Sequence, residues 1–417
     1  MGRLPKFLLR FKLRRQRAAT DRVAAVDLEE EEETSTCVRK HSSNMWLSWD
    51  EIRRVTMEFS VVIGHGGFST VYLAEFPDSS RAAVKMQCGS QRLSRRAYRQ
   101  ELEILRRLRH HTIVKLLGYC DDREEGILIL EYVPNGNLQE KLHGSSTFLP
   151  WMTRMAIAFQ LAQAIAYLHR NCIVHGDIKA SNILLDEDLN CKLCDFGSAK
   201  MGLSSTVALL DSNSRMMVGS LGYTDPLYLK TGLASYKNDV YSFGVVLLEL
   251  ITGMEAFSPG RGEALATRAG PMLRDVEKVG EMVDRRIRGE VDLEEARAMA
   301  ALSAICVSDS PSVRPSAANI LTRMRSKIPF LSLLFEEKHQ HHSKTKLNLT
   351  MNHVMEAVMM QKAYELSDRC SLSWAVTFLR KGQLAARHIQ IHNDRNRKHR
   401  SNSRYAIGIP CLHQQPK

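Results

Sequence analysis

The stretch His175-Gly176-Asp177-Ile178-Lys179-Ala180-Ser181-Asn182 sets a carboxylate, an ammonium and an amide at i, i+2 and i+5 of one loop. These residue types suit phosphoryl transfer. Asp177 can accept the proton of an attacking hydroxyl, Lys179 can neutralise charge on the moving group, and Asn182 offers an oxygen to magnesium. Asp195-Phe196-Gly197 follows, and Asp195 is a second hard-oxygen ligand for the same ion. Upstream, Ile63-Gly64-His65-Gly66-Gly67-Phe68-Ser69-Thr70-Val71 lets backbone amides approach a polyphosphate. A plain glycine-rich hairpin is the competing reading of that segment. Lys85 stands among apolar neighbours in Ala82-Ala83-Val84-Lys85, where a buried ammonium needs a carboxylate. Glu101 is placed to supply it; a lysine snorkelling from a sheet edge is the alternative. Each motif alone is weak, but their order and separations are not expected by chance.

The elements that must position these groups follow from residue pattern. Residues 61–63 and 70–74 read as strands flanking the glycine-rich turn, and 82–86 as a third. Leu102, Leu105 and Leu108 give 94–108 one helical face. An apolar strand over 127–132 stops at Pro134-Asn135-Gly136. Beyond it come a long helix over 151–168, short strands at 183–185 and 192–194, and a helix over 240–251 that is apolar on nearly all sides. Strands first and helices after, with a seam near 133–137, predict an α+β protein of two lobes. The expected domains are an arm at 1–45, a strand-rich lobe at 46–133, a helical lobe at 134–333 and a tail at 334–417.

Charge is concentrated at the ends. The formal net charge is +12, yet 338–417 carry 14 Lys/Arg against 4 Asp/Glu, and 1–26 carry 8 basic residues and 1 acidic. The central region is near neutral, so the basic balance says little about what the core binds. No specific nucleic-acid partner is expected. A solvated arm is the plainer reading of 1–45; a short amphipathic helix at a membrane surface, built on Leu4, Phe7, Leu8 and Phe11, is the alternative. No run reaches the ~18–20 apolar residues of a membrane span. Nine cysteines without regular spacing suggest free thiols in a reducing compartment, and Cys191 and Cys194 lack the second pair of a zinc site. The His-rich tail reads as a basic, poorly ordered extension.

These motifs together resemble the eukaryotic protein kinase superfamily over roughly 50–330. In detail, 110–120 and 237–253 are similar to plant receptor-like kinases. The resemblance implies a two-lobed kinase fold and transfer of the ATP γ-phosphoryl group to Ser/Thr hydroxyls of protein substrates, with ATP and Mg2+ as cofactors. It implies that residues 63 to 71 cover ATP, with Ile63 and Val71 against the adenine. Lys85 holds the α/β-phosphates and pairs with Glu101. Leu130 is the gatekeeper, and Glu131 to Val133 form the hinge. Asp177 is the proton acceptor, Asn182 and Asp195 hold magnesium, and Asp239 binds the catalytic-loop backbone. Lys179, followed by Ala180-Ser181-Asn182, is similar to Ser/Thr rather than tyrosine kinases. Ser220 matches a substrate-contacting Thr near Gly222-Tyr223. A receptor-like cytoplasmic kinase implies a cytoplasmic place, peripheral at the inner face of the plasma membrane, and a membrane receptor as partner.

Three positions depart from the pattern. Ser69 replaces the third glycine, with a modest expected effect on ATP affinity. Gly176 replaces the Arg before the catalytic Asp, which weakens control through phosphates at Ser204, Ser205, Thr206, Ser212 or Ser214. Leu227 replaces a Glu whose usual partner corresponds to Arg314; an unpaired buried Arg costs about 3–5 kcal/mol. Asp225 is a substitute two residues away. An active kinase is the favoured reading, because every group needed for transfer is present; a pseudokinase scaffold is the alternative.

Overall fold

The computed structural model describes residues 40–331, apart from 42–43, 68, 88–90, 123–125, 145–147 and 203–218. The first 39 residues, Phe68, the Ser/Thr candidates at 204–206, 212 and 214, and the tail lie outside the described residues.

The N-terminal half is a seven-stranded sheet. Its strands are β1 (Lys40–His41), β2 (Asn44–Trp46), β3 (Val62–Gly66), β4 (Ser69–Glu75), β5 (Arg81–Gln87), β6 (Leu116–Cys120) and β7 (Ile127–Glu131). The spatial order is β1-β2-β6-β7-β5-β4-β3, and only β2 and β6 run parallel. The sheet thus takes in Lys40–His41 and Asn44–Trp46, all of which but Trp46 fall within the arm expected at 1–45. Apolar residues facing one way, Ala74, Ala82, Val84, Ile127 and Ile129, pack under α1 (Trp49–Val55) through Leu47 and Ile52. A capping box between Ser48 and Glu51 starts α1. After it, Met57, Glu58 and Phe59 have φ of 50°, 56° and 58°, a left-handed run without glycine. Thr56 pins this turn: its Oγ1 donates to Ile52 O at 2.7 Å and accepts from Phe59 N at 3.2 Å. Phe59 lies between Trp49 and Tyr72, tilted to the first and edge-on to the second, with ring centroids 5.4 and 5.1 Å apart.

Helix α2 (Gln91–Arg107) leads out of β5 and carries Glu101. After β7 come the short α3 (Leu138–His143) and then α4 (Trp151–Arg170), most of whose side chains are buried. Strands β8 (Ile173–Val174), β9 (Ile183–Leu185) and β10 (Cys191–Leu193) frame the catalytic loop, and β11 (Lys200–Met201) pairs with β8. The segment 225–331 is mainly helical, with α5 (Pro226–Thr231), α6 (Tyr236–Thr252), α7 (Leu265–Arg274), α8 (Val279–Met282), α9 (Leu293–Cys306) and α10 (Ala317–Lys327), and a small hairpin pairs Phe257–Ser258 with Glu263–Ala264. Helix α6 starts at Tyr236, earlier than its apolar run, because Ser235 and Asn238 close a capping box around a polar first turn. It ends where Gly253 takes φ +66°. The α+β reading with a strand-rich and a helix-rich lobe holds.

Candidate active site

Lys85 lies in β5, an interior strand between β7 and β4, and its ammonium is buried. Nζ sits 2.8 Å from both carboxylate oxygens of Glu101 and 2.8 Å from Asp195 Oδ1. Burial works against the charge on Lys85, but Glu101 and Asp195 outweigh it and hold the ammonium above the usual lysine range. Burial likewise works to raise Asp195, and the Lys85 charge and hydrogen bond hold it below the usual carboxylate range. Asp195 adopts φ +62°, a conformation that Asp tolerates better than most residues. Phe196 N donates to Glu101 Oε1 at 3.2 Å, and the Phe196 ring is buried edge-on against His175. The backbone after Asp195 is thereby tied to α2, and Gln100 Nε2 adds a second tie to Ala199 O.

The loop from His175 to Asn182 is hung on Asp239, a buried carboxylate in the first turn of α6. Asp239 accepts from His175 N at 3.0 Å, Gly176 N at 2.9 Å and His169 Nε2 at 2.9 Å. Gly176 takes φ +78°, and a Cβ there would stand 3.0 Å from Ser198 O. Glycine therefore suits the backbone at the position where the family pattern has Arg.

Within the loop, Asp177, Lys179 and Asn182 meet. Lys179 Nζ is 2.8 Å from Asp177 Oδ2, and Asn182 Nδ2 donates to Asp177 O at 2.8 Å and Oδ2 at 3.2 Å. Ser220 joins from a distant segment: its hydroxyl donates to Asp177 Oδ1 at 2.8 Å and accepts from Lys179 Nζ at 2.9 Å. With its nitrogen committed to Asp177, Asn182 keeps Oδ1 as its remaining acceptor. Cys194 N donates to Asn182 O at 3.0 Å, which brings Asp195 beside it. Two hard oxygen donors side by side fit a small divalent cation that completes its shell from phosphate oxygens.

The remaining nucleotide-site candidates line the sheet above this loop. Val71 is opposite Lys85 across β4–β5 and opposite Gly64 across β3–β4. Ile63, His65, Gly66 and Gly67 are exposed along the hairpin, Gly64 and Thr70 half-buried, and Ser69 buried. Leu130 is buried on β7 opposite Ala83. Glu131 turns its carboxylate to Lys192 Nζ at 3.0 Å and Lys115 N at 2.9 Å. Val133 packs on the helical core. Cys191 and Cys194 are free thiols, with burial pushing Cys194 up to about 12. Among the described residues, no three His, Cys, Asp or Glu side chains cluster as a metal site.

Arg314 is not left unpaired. Asp225 receives both its guanidinium arms, at 2.5 and 3.0 Å, and Asn238 Nδ2 at 2.8 Å. Arg314 also donates to Ser308 O and Lys237 O and lies over the Tyr241 ring. Leu227 points outward instead, partly exposed.

A family model for the protein kinase domain matches residues 57–324. The chain belongs to the protein kinase family. A salt tolerance receptor-like cytoplasmic kinase of Oryza sativa subsp. japonica is 50% identical over 325 residues, covering 76% of this chain and 89% of the relative. A probable receptor-like protein kinase of Arabidopsis thaliana is 50% identical over 306 residues, 69% of this chain and 89% of the relative. An EPD1-interacting receptor-like cytoplasmic serine/threonine-protein kinase of Nicotiana benthamiana is 38% identical over 295 residues, 67% and 63% respectively. This kinase is of the plant receptor-like cytoplasmic type and phosphorylates serine and threonine in proteins. It uses ATP and a divalent metal ion. No helix among its described residues is long and apolar enough to cross a membrane.

Sequence reasoning missed the tie from Gln100 to Ala199 and a cluster at His143, Glu249 and Tyr223. Glu249 alone gave a signal, as a carboxylate inside an apolar helical run.

Proposed function

We propose that Asp177 accepts the proton of the substrate hydroxyl while Lys179 neutralises charge on the transferred phosphoryl group. The observation that carries this is the position of the Ser220 hydroxyl, 2.8 Å from Asp177 Oδ1 and 2.9 Å from Lys179 Nζ. A hydroxyl that donates to one and accepts from the other is oriented with a lone pair outward and its proton on the base. Lys85, fixed by Glu101, is the cation for the α/β-phosphates. Ile63 to Val71 form the roof over ATP. Leu130 closes the back of the adenine site, and the backbone of Glu131 to Val133 borders it. Asn182 and Asp195 would hold magnesium, which would supply positive charge to offset that of the phosphates. Gly176 supplies no guanidinium where the family pattern has Arg, so an activation-segment phosphate has one cation fewer to bind and loop phosphorylation controls this kinase weakly. Its partner is a membrane receptor, and it works in the cytoplasm at the inner face of the plasma membrane, the basic arm supplying the contact.

The test is phosphorylation of dephosphorylated casein by the full chain and by Asp177→Asn, with nucleotide binding and circular dichroism measured on both. The expected result is a loss of about 10²–10⁴-fold in turnover with ATP binding retained. Equal turnover in the two proteins would remove Asp177 from the reaction.

A further inference from the structure

A buried chain of hydrogen bonds runs from the helix after the hinge to the catalytic loop. Its centre is Glu249 on α6. Its Oε1 accepts from His143 Nε2 at 3.1 Å and from Ala256 N at 3.2 Å. Its Oε2 accepts from the Tyr223 hydroxyl at 2.7 Å. His143 closes the last turn of α3, and its side chain is nearly as buried as the carboxylate it meets. The Tyr223 hydroxyl in turn accepts from Ala180 N at 3.4 Å, and Ala180 follows Lys179 directly. The backbone of Tyr223 is pinned as well. Ser242 Oγ donates to Tyr223 O at 2.8 Å, and Tyr223 N donates to Ser220 O at 3.1 Å. Gly222 takes φ +84°, and a Cβ there would fall 2.4 Å from Ala256 O, so this turn presses on the segment Glu249 also holds.

A buried carboxylate needs donors on both oxygens, and losing one leaves the other groups to repack. Burial raises the Glu249 carboxyl, with the hydrogen bonds from His143 and Tyr223 opposing it. Of the three donors, Ala256 is backbone and Tyr223 belongs to the loop being positioned. His143 is the side-chain donor contributed by a separate element.

We infer that His143 is a positioning residue for protein phosphorylation: through Glu249 and Tyr223 it fixes the turn that sets Ser220 between Asp177 and Lys179. This rests on the reading of Asp177 as proton acceptor. His143 lies outside the Lys85 cluster, so its influence falls on the protein substrate and not on ATP.

Steady-state kinetics on the full chain, with dephosphorylated casein and ATP varied in turn, test it. His143→Ala is expected to lower kcat/KM for casein about tenfold with the KM for ATP unchanged. His143→Gln, which keeps an N–H near the place of Nε2, recovers most of that loss. In a Tyr223→Phe background, His143→Ala adds less than about twofold, because the route is already cut. An equal loss in both backgrounds overturns the inference. So does a lowered melting temperature with kcat/KM for casein intact, or a change confined to the KM for ATP. If His143→Ala does not fold, His143→Leu, which keeps the bulk and removes the N–H, replaces it in the same cycle, and full additivity with Tyr223→Phe counts against the inference. Turnover retained by Asp177→Asn would sink the site reading instead, and the His143–Tyr223 coupling is then judged separately.

Discussion

At Lys85 one ammonium serves two carboxylates, and one of them, Asp195, leaves 39% of its side chain exposed. At Arg314 the guanidinium is 0% and its Asp225 partner 1% exposed, with every arm occupied by protein. Both clusters are buried ion pairs joining distant segments. The first keeps an open side and more negative than positive charge, so it can take on a cation and a polyphosphate. The second is closed and electrically balanced, and its work is to hold the end of the activation segment on α6. A buried pair is poor evidence of function until its exposed side and its charge balance are known.

The sharpest break of that comparison is Asp195→Ala. It should remove at least about 10²–10³-fold of casein phosphorylation while stability stays near wild type, since Glu101 still pairs Lys85. A denaturant midpoint that collapses instead would make the open cluster structural after all. Asp225→Ala should act the other way. It strands Arg314, and urea unfolding should show a loss of about 3–5 kcal/mol; an unchanged midpoint would mean that Arg314 needs no partner.

A third pair tests whether closed clusters carry acid sensitivity. Asp284 meets Arg154 Nη2 at 2.7 Å, and Arg286 also donates to it. Burial works to raise its carboxyl, but Arg286 and Arg154 prevail and hold it at about 2. A depressed pKa means stability present above the ordinary carboxylate value of ~3.9 and lost as pH falls from there through about 2. Asp284→Asn should flatten the dependence of the melting temperature on pH in that window, and an unaltered slope would clear Asp284. The smallest effect belongs to Leu227→Glu. Restoring the family's residue should change stability by no more than about 0.5 kcal/mol, because Asp225 already occupies Arg314. A larger gain, read by the same urea unfolding, would show that Asp225 is a poor substitute.

What could be read from sequence was what lies within a few residues. Asp177, Lys179 and Asn182 share one loop, so their spacing already fixed their chemistry, and the apolar runs around Lys85 announced a buried ammonium. The rest depends on where the backbone turns. Asp225 faces Arg314 because it caps α5, donating no bond but accepting Leu227 N at 2.9 Å, which aims its carboxylate inward. No residue pattern shows that angle. Helix α1 was signalled by Ser48 and Glu51 but hidden by the highly charged arm before it. His143, Glu249 and Tyr223 are too far apart in the chain to suggest one another.

The left-handed turn at Met57–Phe59 decides where this kinase can be cut. Three consecutive non-glycine residues in that conformation cost about 1–2 kcal/mol each. They are held by Thr56 from one side and by Trp49 and Tyr72 from the other. Two of those three restraints stand before residue 57, where the family match begins. A chain trimmed to that boundary keeps the strain and discards its restraints. Its first strand, which runs directly into the glycine-rich hairpin, would fray from the end that proteases reach. Expression boundaries are better drawn ahead of Lys40, so that the edge strand β1 and the parallel strand β2 are both kept.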